Sequence, residues 1–193
     1  MGNIQISLMQ KSDIQESVKV LSIAMVDAEL HVAVFQGESE NERQKIERMF
    51  FELFTHLPGI VFLAKEKHQI IGVMRMKSCE GYKPVDKPKD PEDENNIDWR
   101  KSVWHAEWAR HEPLNQHWHL GPVGVLPSYQ GLGIGTMLME RFCKEVDACM
   151  ADSYLETDAD KNVHFYKKFG FKVVNESEIF NVKNRYMLRC PKT

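Results

Sequence analysis

The stretch His117-Trp118-His119-Leu120-Gly121-Pro122-Val123-Gly124-Val125-Leu126-Pro127-Ser128-Tyr129-Gln130-Gly131-Leu132-Gly133-Ile134-Gly135 constrains this chain more than any other. Leu120, Val123, Val125 and Leu126 have the apolar character of a strand, and Pro127 and Ser128 end it. From Thr136 onward, Met137, Leu138, Phe142 and Val146 recur at near-helical spacing. A strand therefore runs through a glycine-rich turn directly into a helix. Gly131, Gly133 and Gly135 stand at alternate positions, which lets consecutive backbone N–H groups point into one concave space at the helix mouth. Such a nest, with the partial positive charge of a helix N-terminus, suits a phosphate or pyrophosphate. Glycine at 131 and 133 keeps a Cβ from obstructing its approach.

Two common phosphate motifs fail on spacing. A dinucleotide fingerprint G-x-G-x-x-G would need glycine at Thr136 or at Leu138, and a P-loop would need a lysine after Gly135, where Thr136 and Met137 follow. The segment Gln130-Gly131-Leu132-Gly133-Ile134-Gly135, after a strand ending Val125-Leu126-Pro127, resembles the acetyl-CoA-binding segment of the GCN5-related N-acetyltransferase (GNAT) superfamily. A second segment carries the same resemblance. Ser153-Tyr154-Leu155-Glu156-Thr157 reads as a short strand, followed by Asn162-Val163-His164-Phe165-Tyr166-Lys167-Lys168-Phe169-Gly170-Phe171. The Phe-Tyr-x-x-x-Gly-Phe ending is similar to the superfamily's terminal helix and its glycine C-cap. Leu155-Glu156-Thr157 before Asn-x-x-Phe-Tyr is similar to the subgroup containing puromycin N-acetyltransferase. The resemblance is close over residues 117–190 and extends to the N-terminal third only in element order.

The rest of the chain fits one domain, residues 1–193, carrying an insertion at 80–116. Ile4, Ile6 and Leu8 alternate with polar residues as a strand does; Ser12 or Asp13 can cap a helix bearing Ile14, Val18, Leu21 and Met25. Residues 38–56 read as a second helix, with Ile46, Met49, Phe50, Leu53 and Phe54 on its apolar face, broken by Pro58-Gly59. Ile60–Ala64 and Ile70–Met76 form a hairpin around Lys67-His68-Gln69. Periodicity alone gives a mixed α/β (α+β) chain. The resemblance implies the acyl-CoA N-acyltransferase fold, a central, mostly antiparallel twisted sheet of about six to seven strands flanked by helices. Residues 80–98 hold Pro84, Pro88 and Pro91 among acids and lysines and predict a long exposed loop. Trp99, Trp104, Trp108 and Trp118 follow within twenty residues, Trp104 and Trp108 sharing a helix face. They either fasten the insertion to the sheet or form an aromatic wall over an acceptor pocket.

Composition narrows the setting. A formal net charge of −3 offers no footprint for nucleic acid, and no apolar run approaches a membrane span. The N-terminus lacks the charge and apolar core of a signal peptide. Cys79, Cys143, Cys149 and Cys190 show no Cys-x-x-Cys spacing and read as reduced, mostly buried thiols of a cytoplasmic protein. The oligomeric state stays open, a homodimer included.

What the resemblance implies chemically is acetyl transfer from acetyl-CoA to an amine in a ternary complex. The backbone of Gln130, Gly131, Leu132, Gly133, Ile134 and Gly135, with Thr136, would anchor the pyrophosphate. Gly121-Pro122 sits where the superfamily's fourth strand bulges and splays from the fifth; proline removes a ladder donor and belongs at such a bulge. Val123, Gly124 and Val125 would then line the pantetheine arm, with the Val123 N–H on the acetyl carbonyl. Tyr166 is the candidate general acid, and Asn162 a further cofactor contact. For the general base, His119 and His117 share a strand face just before the bulge, with Glu156 and Glu107 as competitors and a water chain as another route. His105, His111, His117 and His119 invite a metal reading, but no His or carboxylate partner stands at ligand spacing, so no metal is assigned. A small-molecule amine is the expected acceptor. A protein lysine or N-terminal acetyltransferase, or a non-catalytic acyl-CoA sensor, stays open as an alternative.

Overall fold

Apolar residues on both faces of the central strands set the architecture. In the computed structural model, which describes residues 3–86, 88–90 and 93–192, Val61, Phe62, Leu63 and Ala64 are all buried. They belong to β2 (Ile60–Glu66). Phe62 and Ala64 enter one core and Val61 and Leu63 the other, so the sheet is covered on both sides. Seven strands lie in the order β1-β2-β3-β4-β5-β7-β6. They are β1 (Ile4–Leu8), β2, β3 (Gln69–Cys79), β4 (His117–Val125), β5 (Ser153–Thr157), β6 (Lys172–Ile179) and β7 (Val182–Arg189). Every neighbouring pair is antiparallel except β4 and β5.

One face carries α5 (Ile134–Ala148) and α6 (Asp160–Lys167). The other carries α1 (Ile14–Met25), α2 (Glu29–Phe35), α3 (Glu40–His56) and α4 (Ile97–Arg110). α1 follows a 3₁₀ turn at Lys11–Asp13, where the Asp13 carboxylate accepts from the Gln10 N–H rather than capping α1. Ser39 caps α3 by accepting from Asn41 N–H.

Three details depart from the sequence reading. α2 is an extra element: seven residues long, with no side-chain cap at Ala28, it closes on Gln36 in the left-handed region. On α5 the core-facing residues are Ile134, Leu138, Met139, Phe142 and Val146, with Met139 rather than Met137 completing the stripe. Cys79 is buried, but Cys149 and Cys190 are exposed because both lie just beyond the ends of their elements. No helix among the described residues is long and apolar enough to cross a membrane.

Candidate active site

β4 changes character halfway along. Its register with β3 jumps between Met76↔Leu120 and Met74↔Val123, which inserts one extra residue on β4 at Gly121-Pro122, a cis peptide. Before the bulge, β4 pairs with β5 at Trp118↔Ser153 and His119↔Tyr154; among the described residues the pairing ends there and the strands splay. After the bulge, Leu126 N–H donates to Ile71 O at 2.9 Å, and Gly124 lies opposite Val73. Bonded and non-bonded pairs alternate along an antiparallel ladder. Val123 and Val125 therefore turn their N–H and C=O groups away from β3, into the splay. Gly124 is turned the other way: a Cβ there would fall 2.9 Å from the Leu21 side chain and 3.1 Å from Ala24 of α1. Its smallness lets α1 approach.

The turn into α5 forms the nest. Gly131 and Gly133 lie in the left-handed region at φ 75° and 84°, and an added Cβ at either would meet nothing within 4 Å. The α5 ladder begins with Met137 N–H donating to Gly133 O at 3.0 Å. The N–H groups of Ile134, Gly135 and Thr136 precede it and have no intrahelical acceptor. Gly135 differs from the other two glycines: its Cβ would stand 3.3 Å from the Phe165 ring, so it serves close packing of α5 on α6. The Gln130 side chain donates to Val125 O at 3.1 Å and ties the turn to the strand end. Leu132 is exposed and Ile134 buried in the α5-side core.

At the foot of the splay, His119 and Glu156 form one unit. His119 Nε2 lies 2.7 Å from Glu156 Oε2, and both side chains are largely buried. A carboxylate only accepts, so Nε2 carries the proton and Nδ1 keeps its lone pair. Nδ1 is buried without a protein partner. The imidazole edge lies beside the bulge, since a Cβ on Gly121 would stand 3.7 Å from His119 Cε1. A base oriented by a carboxylate, with its second nitrogen free, is equipped to accept a proton.

The fold has counterparts among known proteins. Residues 28–171 match the model of the acetyltransferase (GNAT) family. The chain belongs to the GNAT family. Among solved structures it is similar to a histone acetyltransferase HPA2 and related acetyltransferase from Corynebacterium glutamicum (16% identity, 100% of this chain and 98% of the other covered, TM-score 0.70). It is also similar to mosquito arylalkylamine N-acetyltransferase like 5b (15%, 97% and 100%, TM-score 0.68). A third is a GNAT family acetyltransferase from Brucella melitensis in complex with acetyl-CoA (17%, 100% and 91%, TM-score 0.57). At these identities the likeness is one of fold.

Within this GNAT fold, Tyr166 stands on α6 among Phe165 and Phe171, with ring centroids 5.4 and 6.0 Å away. Burial, with a smaller contribution from Asp158, pushes its phenol up to about 12. Asn162 lies one helical turn earlier, on the same α6 face. Gly170, at φ 96°, ends that segment as a glycine C-cap does. The competing base Glu107 is engaged elsewhere, 3.0 Å from His111 Nε2 and 3.1 Å from Arg110. His117 is occupied differently: its Nδ1 donates to Asn115 O at 2.9 Å.

The insertion both fastens and covers. Trp104 of α4 is buried, 4.9 Å from Trp108 and 5.2 Å from His31 of α2 between ring centroids. Trp108 Nε1 donates to Asn184 Oδ1 on β7 at 3.2 Å, and His111 stacks on Tyr186 at 4.0 Å. Tyr186 pairs with Glu156 across β5 and β7, so α4 lies over the face from which Glu156 projects. Sequence reasoning missed Tyr186 and Asn184, which nothing but alternation along β7 marks. A surface hollow of about 470 Å³ between α3 and α4, lined in part by Phe35, Lys45, Arg48 and Met49, shares no residue with this site.

Proposed function

We propose that this chain transfers an acetyl group from acetyl-CoA to a primary amine of a small molecule in a direct, ternary-complex reaction. The observation that carries the reading is the His119–Glu156 pair at the point where β4 and β5 part, beside a bulged strand and a two-glycine nest. The open cradle at Gly131 and Gly133, which a Cβ would fill, fits a pyrophosphate. Acetyl-CoA, when bound, supplies an activated acetyl thioester and a thiol leaving group.

The residues divide the work. The N–H groups of Gly131 to Gly135, with Thr136, hold the diphosphate, and the Gln130 side chain keeps the turn against β4. Val123 and Val125 would offer the pantetheine arm a strand edge, and the Val123 N–H, turned into the splay, would be the donor for oxyanion charge on the acetyl carbonyl. His119 Nδ1 takes the amine proton, with Glu156 holding the ring and stabilising the imidazolium. Tyr166, a phenol that is protonated at neutral pH, would give its proton to the thiolate that leaves when acetyl-CoA reacts. Asn162 sits beside it for the cofactor. The acidic residues of the 80–98 loop and the formal net charge of −3 favour a cationic acceptor. The cover that α4 lays over the Glu156 face, fastened through Trp108 and His111, favours a small amine over a peptide. The subgroup resembling puromycin N-acetyltransferase rests on Leu155-Glu156-Thr157 and Asn162 to Tyr166. We assign the whole chain to one catalytic domain with an insertion at 80–116, working in the cytoplasm.

The test is release of free CoA from acetyl-CoA across a panel of small amines and lysine peptides, for the native protein and for Tyr166→Phe. Acceptor-dependent release that drops about a hundredfold in the variant supports the assignment. Acetyl-CoA binding without release for any acceptor favours a sensor, and release with peptides alone moves the substrate class to proteins.

A further inference from the structure

The insertion leaves and rejoins the sheet through a tight neck. Tyr82 N–H donates to Pro113 O at 2.8 Å, and a Cβ on Gly81, at φ 105°, would collide with Leu114 O at 2.2 Å. Three chemistry-bearing side chains meet at this neck. Cys79 ends β3, His117 begins β4 directly opposite it, and Glu112 follows α4. The thiol, a carboxylate oxygen and a ring nitrogen all lie within 4.8 Å of one another. None of them has a role in the acetyl-transfer site.

We propose that Cys79, Glu112 and His117 bind one Zn²⁺ ion, a clasp that locks the base of the insertion onto the sheet. His117 is 1% exposed, and its Nε2 is buried with no hydrogen-bond partner. Its Nδ1–H is committed to the Asn115 carbonyl at 2.9 Å, which leaves Nε2 aimed at the other two groups. Histidine ligands to metals are held in this way, through the second nitrogen on a backbone carbonyl. Glu112 Oε1 stands 3.5 Å from that Nε2, close to the edge of a tetrahedron around an ion with bonds of about 2.0–2.1 Å. A thiolate, a carboxylate and a neutral imidazole sum to two negative charges, so a divalent ion leaves the buried group neutral. The sulfur, nitrogen and oxygen set suits Zn²⁺ and disfavours Mg²⁺ or Ca²⁺. Glu112 is partly exposed, which leaves room for water as a fourth ligand.

A metal-free cluster is the rival state. Burial lowers the His117 pKa, but the Cys79 and Glu112 side chains beside it raise the balance to about 10, so a proton would sit where the ion does. The metal must displace it, as metals do at such sites.

The experiment strips the full-length protein with chelator and titrates it with Co²⁺, a spectroscopic stand-in for Zn²⁺. The background is Cys149→Ser/Cys190→Ser, which removes the two exposed thiols. One equivalent should give a thiolate-to-cobalt charge-transfer band with the strong visible absorption of a tetrahedral site, bleached by Zn²⁺. Cys79→Ser should abolish the charge-transfer band. Glu112→Gln, at a partly exposed position that tolerates change, should weaken Zn²⁺ binding about tenfold or more in competition with a chromophoric chelator. Absence of stoichiometric binding overturns the proposal. So does a band that survives Cys79→Ser, or Zn²⁺ affinity unchanged in folded Glu112→Gln.

Discussion

The nest and the histidine–glutamate pair stand at two ends of one splay and are built on opposite plans. The nest is backbone: the residues from Gly131 to Thr136 place their N–H groups by φ and ψ alone, while the Gln130 N–H that the sequence reading counted with them is taken by Pro127 O at 3.2 Å. The pair is made of side chains whose positions lie 37 apart in sequence, joined by strand pairing and roofed by α4. A backbone site tolerates most substitutions but not a Cβ in the wrong place. A side-chain site fails when one atom is removed, and fails again when its roof loosens.

The largest expected effect follows from that contrast. His119→Gln keeps size and polarity but offers no lone pair of suitable basicity, so kcat should fall about 10²–10⁴-fold while acetyl-CoA affinity stays near native. Glu156→Gln should produce a smaller loss in kcat, because the ring keeps a neighbour but loses the charge that stabilises imidazolium. Stopped-assay kinetics beside calorimetric binding separate the two quantities. If His119→Gln lost affinity and rate together, the two ends of the splay would not be independent and the contrast would break.

The next effect tests the roof. His31 on α2 packs against Trp104 of α4, and burial depresses its pKa to about 4 despite Asp158 nearby. The unfolded chain protonates histidine near 6.5, so between pH 6.5 and 4 it binds more protons than the folded chain. Stability should therefore fall as pH drops through that window, by on the order of 3 kcal/mol from this residue. His31→Leu should remove that part of the loss, read as the difference in Tm between pH 6.5 and 4.5 for the two proteins. An identical drop in both would mean that His31 is not held neutral under α4.

The same contrast decides what could be read from the sequence. Gly131 to Gly135 are contiguous, and glycines between a strand and a helix carry their geometry with them, so the nest was legible. The bulge was legible as well, because Gly121-Pro122 cannot continue a ladder. His119 and Glu156 were each visible as candidates, but not as a pair, since only parallel pairing of β4 with β5 brings them together. α2 was not legible: seven residues between two turns give Leu30 and Val34 one helical repeat and no cap. The meeting of Cys79, Glu112 and His117 was invisible because the two ends of a long insertion are brought together by the hairpin they interrupt. Reading the histidines by sequential spacing looked along the chain, whereas the partners lie across it.

The smallest effect sharpens the comparison from the nest side. Gly133 caps α5 at φ 84° with open space beyond its missing Cβ. Gly133→Ala meets no steric wall, but it forces a left-handed conformation that costs an L-residue about 1–2 kcal/mol. Thermal unfolding should show a loss of that size. The new methyl also enters the space where a pyrophosphate would lie, so acetyl-CoA affinity should fall about tenfold, equivalent to about 1.4 kcal/mol. kcat at saturating cofactor should be unchanged, because the atoms that move protons are at the other end of the splay. Gly124→Ala is the control within the same strand: its Cβ would meet Leu21 and Ala24, so it should destabilise by about 1–3 kcal/mol without touching cofactor affinity in the folded fraction. A Gly133→Ala protein that is less stable yet binds acetyl-CoA as well as the native chain would show that the ligand does not use that space.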